Sequence, residues 1–263
     1  MTDGPTDALE VQNEGRLRVL RMNRPDKKNA LNGALIDALH RELRAAATDD
    51  DVWAVALTGN GDAFCAGLDF ADPPKSAPPE EGEAPRGHLT VLMRVECEKP
   101  IVAGVNGVAV GGGMSIALNA DIRIAAPSAR FHPGYTRIAV SPDLGLTLTL
   151  PQAIGYEHAM RFMLEGRTVH AAEALALGIV SEVVASDEDL DARLLEFGAL
   201  LASTAPIAAR QTKRLMGLAD QPLDLAAHLD LENELVVAAL GSADSNAAIR
   251  AMMTGEAPTF AGR

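Results

Sequence analysis

The sequence predicts an α/β fold that ends in a purely helical region. Three observations predict it. Short continuous apolar runs closed by glycine alternate with helix-spaced segments up to about residue 185. From Asp187 onward every segment carries helical spacing. Of the 263 residues 48% are hydrophobic and only 3% aromatic, so a sizeable core must be built from Ala, Val, Leu and Ile. The division falls near Ala202–Pro206, giving a core over 1–202 and a helical region over 203–263.

The elements follow in order. RLRVLRM alternates apolar and basic residues before Pro25 and reads as a partly exposed strand. GALIDALHRELRAAAT places Leu35, Ala38, Leu39, Leu43 and Ala46 at helical spacing. VWAVALTG is a buried strand by its unbroken apolar run. Residues 72–87 are rich in proline, glycine and acid with no period, and read as a surface loop, either a lid or a solvated linker. HLTVLMRVE resumes helix, and IVAGVNGVAV reads as one buried strand. DIRIAA and ARFHP are short strands. In SPDLGLTLTLPQAIG, Ser141 is placed to cap a helix, with Pro142 and Asp143 in its first turn. HAAEALALGIVSEVV is a helix closed by Gly178 and then a strand.

Composition excludes several function classes. There are 23 basic and 36 acidic residues, a formal charge of −13, which argues against nucleic acid or an anionic membrane as partner. No segment has the ~18 unbroken apolar residues of a membrane span. Two cysteines, Cys65 and Cys97, form no disulfide framework and suit a reducing cytoplasmic setting; Cys65 reads as a small buried hydrophobe. The acidic start MTDGPTDALE lacks an apolar core, so no export signal is expected. No Cys or His spacing points to a metal.

The informative stretch is VGGGMSIAL. Gly111, Gly112 and Gly113 lie between a strand and a helix. A helix opening there leaves unpaired N–H groups, and glycines would keep them accessible to an anion or oxyanion. Tight packing of helix against strand is the other reading of the same glycines.

NRPDKKNALN, AFCAGLDF and KPIVAGVNGVAVGGG, in that order, resemble the enoyl-CoA hydratase/isomerase (crotonase) superfamily, from about Gly15 to the terminal APTFAGR. The resemblance implies a spiral of ββα turns, with C-terminal helices that support homotrimers, often paired into hexamers. It implies an acyl-CoA substrate, with coenzyme A part of that substrate and no further cofactor. The thioester oxygen would sit between the amides of Leu68, after Ala66 and Gly67, and Gly112, after Gly111. The adenine end would lie near the NRPDKKN loop and Asp69, where Arg24 and Lys27 either meet phosphates or form a solvated basic face.

Here the chain departs from family hydratases. Their two glutamates fall on Ser115 and Tyr135. Hydration needs one group to activate water and one to protonate carbon, and neither serine nor tyrosine replaces a paired carboxylate near neutral pH. Asp143 remains, in the PD-x-G pattern of epoxyphenylacetyl-CoA isomerases and other double-bond-shifting relatives. Asp143 therefore reads either as an acid/base for isomerisation or as a helix cap. Chlorobenzoyl-CoA dehalogenases also place a nucleophilic aspartate there and a histidine at the position of His88, but have tryptophan where this chain has Tyr135. A hydratase or hydrolase with an unusual residue set, and an idle acyl-CoA binder, are the other readings. Glu256 stands where many relatives carry a positive charge before the terminal Phe.

Overall fold

The computed structural model describes residues 8–74, 89–219 and 225–262. The chain opens with a hairpin, β1 (Leu9–Glu14) and β2 (Leu17–Met22), and then crosses through α1 (Gly33–Thr48). Helix α1 buries Leu35, Ala38, Leu39, Leu43 and Ala46, the stripe its sequence predicts, and is capped by Asn32, whose side chain accepts from the Leu35 amide at 3.0 Å. β1 has no counterpart in the sequence reading. Its burial pattern shows one buried residue and five exposed, so little apolar alternation marks it. β2, expected to be partly exposed, is buried apart from Arg21, because β1 and β3 (Ala54–Gly59) flank it on both edges.

From β3 onward the chain repeats one move. A strand joins a large sheet, the chain turns a corner, and the next strand joins a small sheet. β3 is followed by β4 (Ala63–Cys65), β5 (Ile101–Val105) by β6 (Val108–Val110), and β7 (Ile122–Ala125) by β8 (Arg130–His132). The large sheet runs β1-β2-β3-β5-β7-β10, with β10 at Glu182–Val183; the small one runs β4-β6-β8-β9, with β9 at Val169–His170. This is the ββα spiral that the resemblance implies. IVAGVNGVAV, read as one strand, is thus two strands in different sheets. The corner is Asn106–Gly107, where a Cβ on Gly107 would lie 2.0 Å from the Asp62 carbonyl oxygen.

Helical segments complete each turn. α2 (Leu89–Val91) widens into π turns over Leu92–Glu96, and α3 (Gly112–Asn119) runs through the core with every residue buried. After a 3₁₀ turn at Tyr135–Ile138 come α4 (Leu146–Ile154), α5 (Tyr156–Glu165) and α6 (Ala171–Leu177), the last closed by Gly178 at φ 89°. α4 begins later than its sequence predicts. Leu144 and Gly145 take positive φ and interrupt the helix, so Ser141 is not its cap and Asp143 is not in its first turn.

α7 (Asp189–Ser203) covers the outer face of the large sheet, burying Leu190, Leu194, Gly198 and Ala202 against Val19, Ala54, Ala56 and Val102. α8 (Pro206–Ala219), α9 (Leu225–Leu240) and α10 (Ala243–Thr254) follow. Among the described residues no single helix is long and apolar enough to cross a membrane.

One buried cation pins α8 to the core. Lys213 Nζ donates to the Met93 carbonyl at 2.7 Å and the Lys99 carbonyl at 3.0 Å, and pairs with Asp121 at 2.8 Å. Its side chain is 7% exposed and that of Asp121 26%. Lys213→Met leaves two buried carbonyls without their donor and the Asp121 carboxylate with the Ile101 amide, which donates to it at 2.7 Å, but no cation. A loss of about 2–4 kcal/mol is expected, at the lower end of a broken buried pair because Asp121 keeps some water. A denaturant midpoint unchanged in Lys213→Met would contradict it.

Candidate active site

The C-terminal ends of β4 and β6 meet above the N-terminus of α3. Beside them the NRPDKKN loop is fastened by Asn29, fully buried at φ 54°. Its side-chain amide donates to the carbonyls of Asn60 and Ala63, and its oxygen accepts from the Arg24 amide. The chain after it zips along the AGLD segment: Ala66 N donates to Lys28 O, Leu31 N to Gly67 O and Asp69 N to Leu31 O. In such a parallel bridge the residue opposite turns its own N–H to the far side. The Leu68 amide therefore faces away from Leu31.

The three glycines differ in purpose. Gly111 takes φ 52°, and Gly112 and Gly113 begin α3. A Cβ on Gly113 would lie 2.2 Å from the Cys65 carbonyl oxygen, so tight helix–strand packing explains this one. A Cβ on Gly112 would meet only side-chain tips, Leu31 Cδ1 at 2.9 Å and Leu144 Cδ1 at 3.3 Å. Gly67, at φ 86°, has room for no Cβ either: one would lie 2.6 Å from the Val110 carbonyl oxygen and 3.7 Å from Gly112 N. That closeness brings the Leu68 and Gly112 segments together. Gly112 N–H is a first-turn helix amide with no partner in its own helix. Among the described residues neither amide donates to another protein group.

These segments open into a cleft of about 520 Å³. Of the residues selected from sequence, Ala66, Gly67, Leu68, Gly111, Gly112, Tyr135 and Asp143 line it together. Leu31, Phe70, Ile138, Val140 and Leu144 make most of its walls apolar. Asp143 is solvent-exposed, and its carboxylate accepts the Tyr135 hydroxyl at 2.6 Å. Burial, reinforced by that bond to Asp143, pushes the Tyr135 phenol well above its ordinary pKa, so it stays a neutral donor.

Ser115 does not face the cleft. It is fully buried, and its hydroxyl, 3.0 Å from that of Tyr135, is the donor of that contact because the Tyr135 proton goes to Asp143; its oxygen also lies 3.2 and 3.3 Å from the Gly111 and Asp143 carbonyls. Its position as a ligand contact is thereby corrected: it supports the residues that line the cleft. Arg24 and Asp69 bond to one another. The Arg24 guanidinium donates to Asp69 at 2.8 Å and to the Ala30 carbonyl, and Asp69 also accepts from the amides of Ala71 and Asp72. The Arg24 hydrogen bond holds the Asp69 carboxyl below its usual pKa. Both side chains serve the loop, whereas Lys27 is exposed. His88 lies outside the described residues, as does 75–88, most of the proline-rich loop. Cys65 is buried, and desolvation pushes its thiol up to about 12. Among the described residues no group of three His, Cys, Asp or Glu side chains could hold a metal.

Comparison with known proteins agrees with this geometry. The family model described as enoyl-CoA hydratase/isomerase matches residues 12–263. The chain is 32% identical over 255 residues to the 2,3-dehydroadipyl-CoA hydratase of Escherichia coli, covering 97% of this chain and 99% of that one. It is also 32% identical over 255 residues to the 1,2-epoxyphenylacetyl-CoA isomerase of the same organism, covering 95% and 97%. Equal identity to a hydratase and to an isomerase leaves the choice of chemistry to the site residues. The structure of enoyl-CoA hydratase subunit I from Geobacillus kaustophilus superposes with a TM-score of 0.87 at 28% identity, over 97% of this chain and 98% of that one. A match across nearly the whole chain, on the spiral that carries the paired amides, places this protein in the enoyl-CoA hydratase/isomerase family, whose members act on acyl-CoA thioesters.

Proposed function

We propose that this protein shifts a double bond within an acyl-CoA thioester, with Asp143 as the acid/base and the amides of Leu68 and Gly112 as the oxyanion site. One observation carries the reading: the Asp143 carboxylate lines the same cleft as both amide-bearing segments, while the two positions that hold glutamate in family hydratases are Ser115 and Tyr135. In a 3-enoyl-CoA, Asp143 takes a proton from C2 and the electron pair moves onto the thioester oxygen. The two amides strengthen their hydrogen bonds as that charge grows. Returning the proton to C4 gives the 2-enoyl-CoA, with no atom gained or lost. Tyr135 donates to one carboxylate oxygen and leaves the other for substrate. A single carboxylate suffices for such a transfer, whereas hydration calls for a second group to activate water. Against the helix-cap reading of Asp143 stands the start of α4 at Leu146, with Gly145 before it and no side-chain cap hydrogen bond.

The test is incubation with 2-enoyl-, 3-enoyl- and aryl-CoA esters, followed by mass and absorbance. The expected result is conversion of a 3-enoyl-CoA to its conjugated isomer at constant mass. A product heavier by one water would make the protein a hydratase; binding without conversion of any ester would make it a binder.

A further inference from the structure

We infer that Asn119 is a positioning residue for Asp143: from inside α3 it holds the strained turn that presents the carboxylate to the cleft. This rests on the acid/base reading of Asp143. The turn is unusual, because Leu144 sits at φ 48°, a left-handed conformation that a bulky residue seldom adopts, and Gly145 follows at φ 73°. Something outside the turn must hold it there. Two α3 side chains do so. Ser115 and Asn119 are four residues apart, so they project from one face of the helix. Ser115 Oγ packs 3.3 Å from the Asp143 carbonyl, and Asn119 Nδ2 donates to the Leu144 carbonyl at 3.0 Å. The same Nδ2 donates to Thr90 Oγ1 at 3.1 Å, and Thr90 packs against the turn where a Cβ on Gly145 would lie 2.6 Å from Thr90 Cγ2.

The orientation of the amide is fixed by chemistry. The Leu144 carbonyl can only accept, so the NH₂ end of Asn119 must face it. Asn119 itself is fully buried, and its Oδ1 is buried without a hydrogen-bond partner among the described residues. A buried amide left half satisfied is costly for packing alone, and a hydrophobe would fit the interior of α3 better. One donated bond holds the Asp143 turn directly, and the other holds Thr90, which packs against it. The helix whose first amide would bind the thioester oxygen thus also places the proton carrier, which fixes the two relative to one another.

The experiment compares wild type, Asn119→Leu, Asp143→Asn and the double variant, with Asn119→Ala in place of Asn119→Leu should the larger side chain not fold. Two readouts are taken. Hydrogen exchange over 139–146 is expected to quicken about tenfold in Asn119→Leu, with the core strands unchanged. Turnover of a 3-enoyl-CoA is expected to fall about 10–100-fold at unchanged KM, with no further loss when Asn119→Leu is added to Asp143→Asn. Unaltered exchange over 139–146 overturns the inference, as does an equal added loss in the Asp143→Asn background. A wild type that turns over no ester in the panel removes the isomerase reading instead, and the exchange measurement still decides whether Asn119 holds the turn.

Discussion

Asp143→Asn is expected to lower double-bond isomerisation by about 10³-fold while leaving acyl-CoA affinity within about twofold. The size follows from removing a positioned proton carrier, worth roughly 10²–10⁴ in rate. The substitution keeps the side-chain volume, and its remaining oxygen still accepts the Tyr135 hydroxyl that reaches Asp143 at 2.6 Å. Asparagine cannot take up the proton from C2. Stability should change by less than about 1 kcal/mol, because Asp143 is exposed and is not the cap of α4. Kinetics, isothermal titration with a saturated acyl-CoA, and thermal unfolding on one preparation separate the effects. Full activity in the variant would take Asp143 out of the mechanism. Tyr135 would not be its natural replacement as a base, since burial alone still raises the pKa of its phenol.

The sequence revealed what is periodic or contiguous. The buried stripe of α1, the apolar run of β3 and the glycines at the start of α3 each carry a local signal, and each lies where that signal puts it. Corners between sheets carry almost none. IVAGVNGVAV is apolar on both sides of Asn106–Gly107, and the turn there is marked by contacts distant in sequence: the approach of Gly107 to the Asp62 carbonyl and the bonds of Asn106 Nδ2 to the Gly61 and Ala63 carbonyls. The start of α4 misled for a related reason. Ser-Pro-Asp is good capping chemistry, but contacts from Ser115 and Asn119, distant in sequence, hold the next residues in a non-helical turn.

Legibility of the site divides the same way. The cleft-lining positions follow from the family resemblance, whose motifs keep their order along the chain. Side-chain pairings were not visible. Nothing local marks Arg24 as the partner of Asp69, to which it donates at 2.8 Å. Asn29 is marked only as part of NRPDKKN, and Asn119 by no motif at all. A buried asparagine in an apolar or loop context is the one signal that could have found them, since such a residue requires partners.

The second large effect concerns two adjacent glycines. Gly113→Ala is expected to cost about 3 kcal/mol or more, and Gly112→Ala less than about 1 kcal/mol, although both occupy the first turn of the same helix. At Gly113 the new methyl would lie 2.2 Å from the Cys65 carbonyl oxygen and 2.8 Å from its carbon. Backbone cannot rotate aside, so α3 must move away from β4, at the upper end of what overpacking costs. That movement also separates the Leu68 segment, carried by β4, from the Gly112 amide, so any molecules that fold should lose turnover. At Gly112 the methyl meets the tips of Leu31 and Leu144, which can swing aside. Both side chains line the cleft, so the displacement narrows it, and acyl-CoA affinity should weaken about tenfold, or ~1.4 kcal/mol. Chemical denaturation and acyl-CoA titration of the two variants measure both quantities. Equal stability losses would mean that the glycines share one packing role. Unchanged affinity in Gly112→Ala would mean that the thioester lies elsewhere than beside this helix terminus.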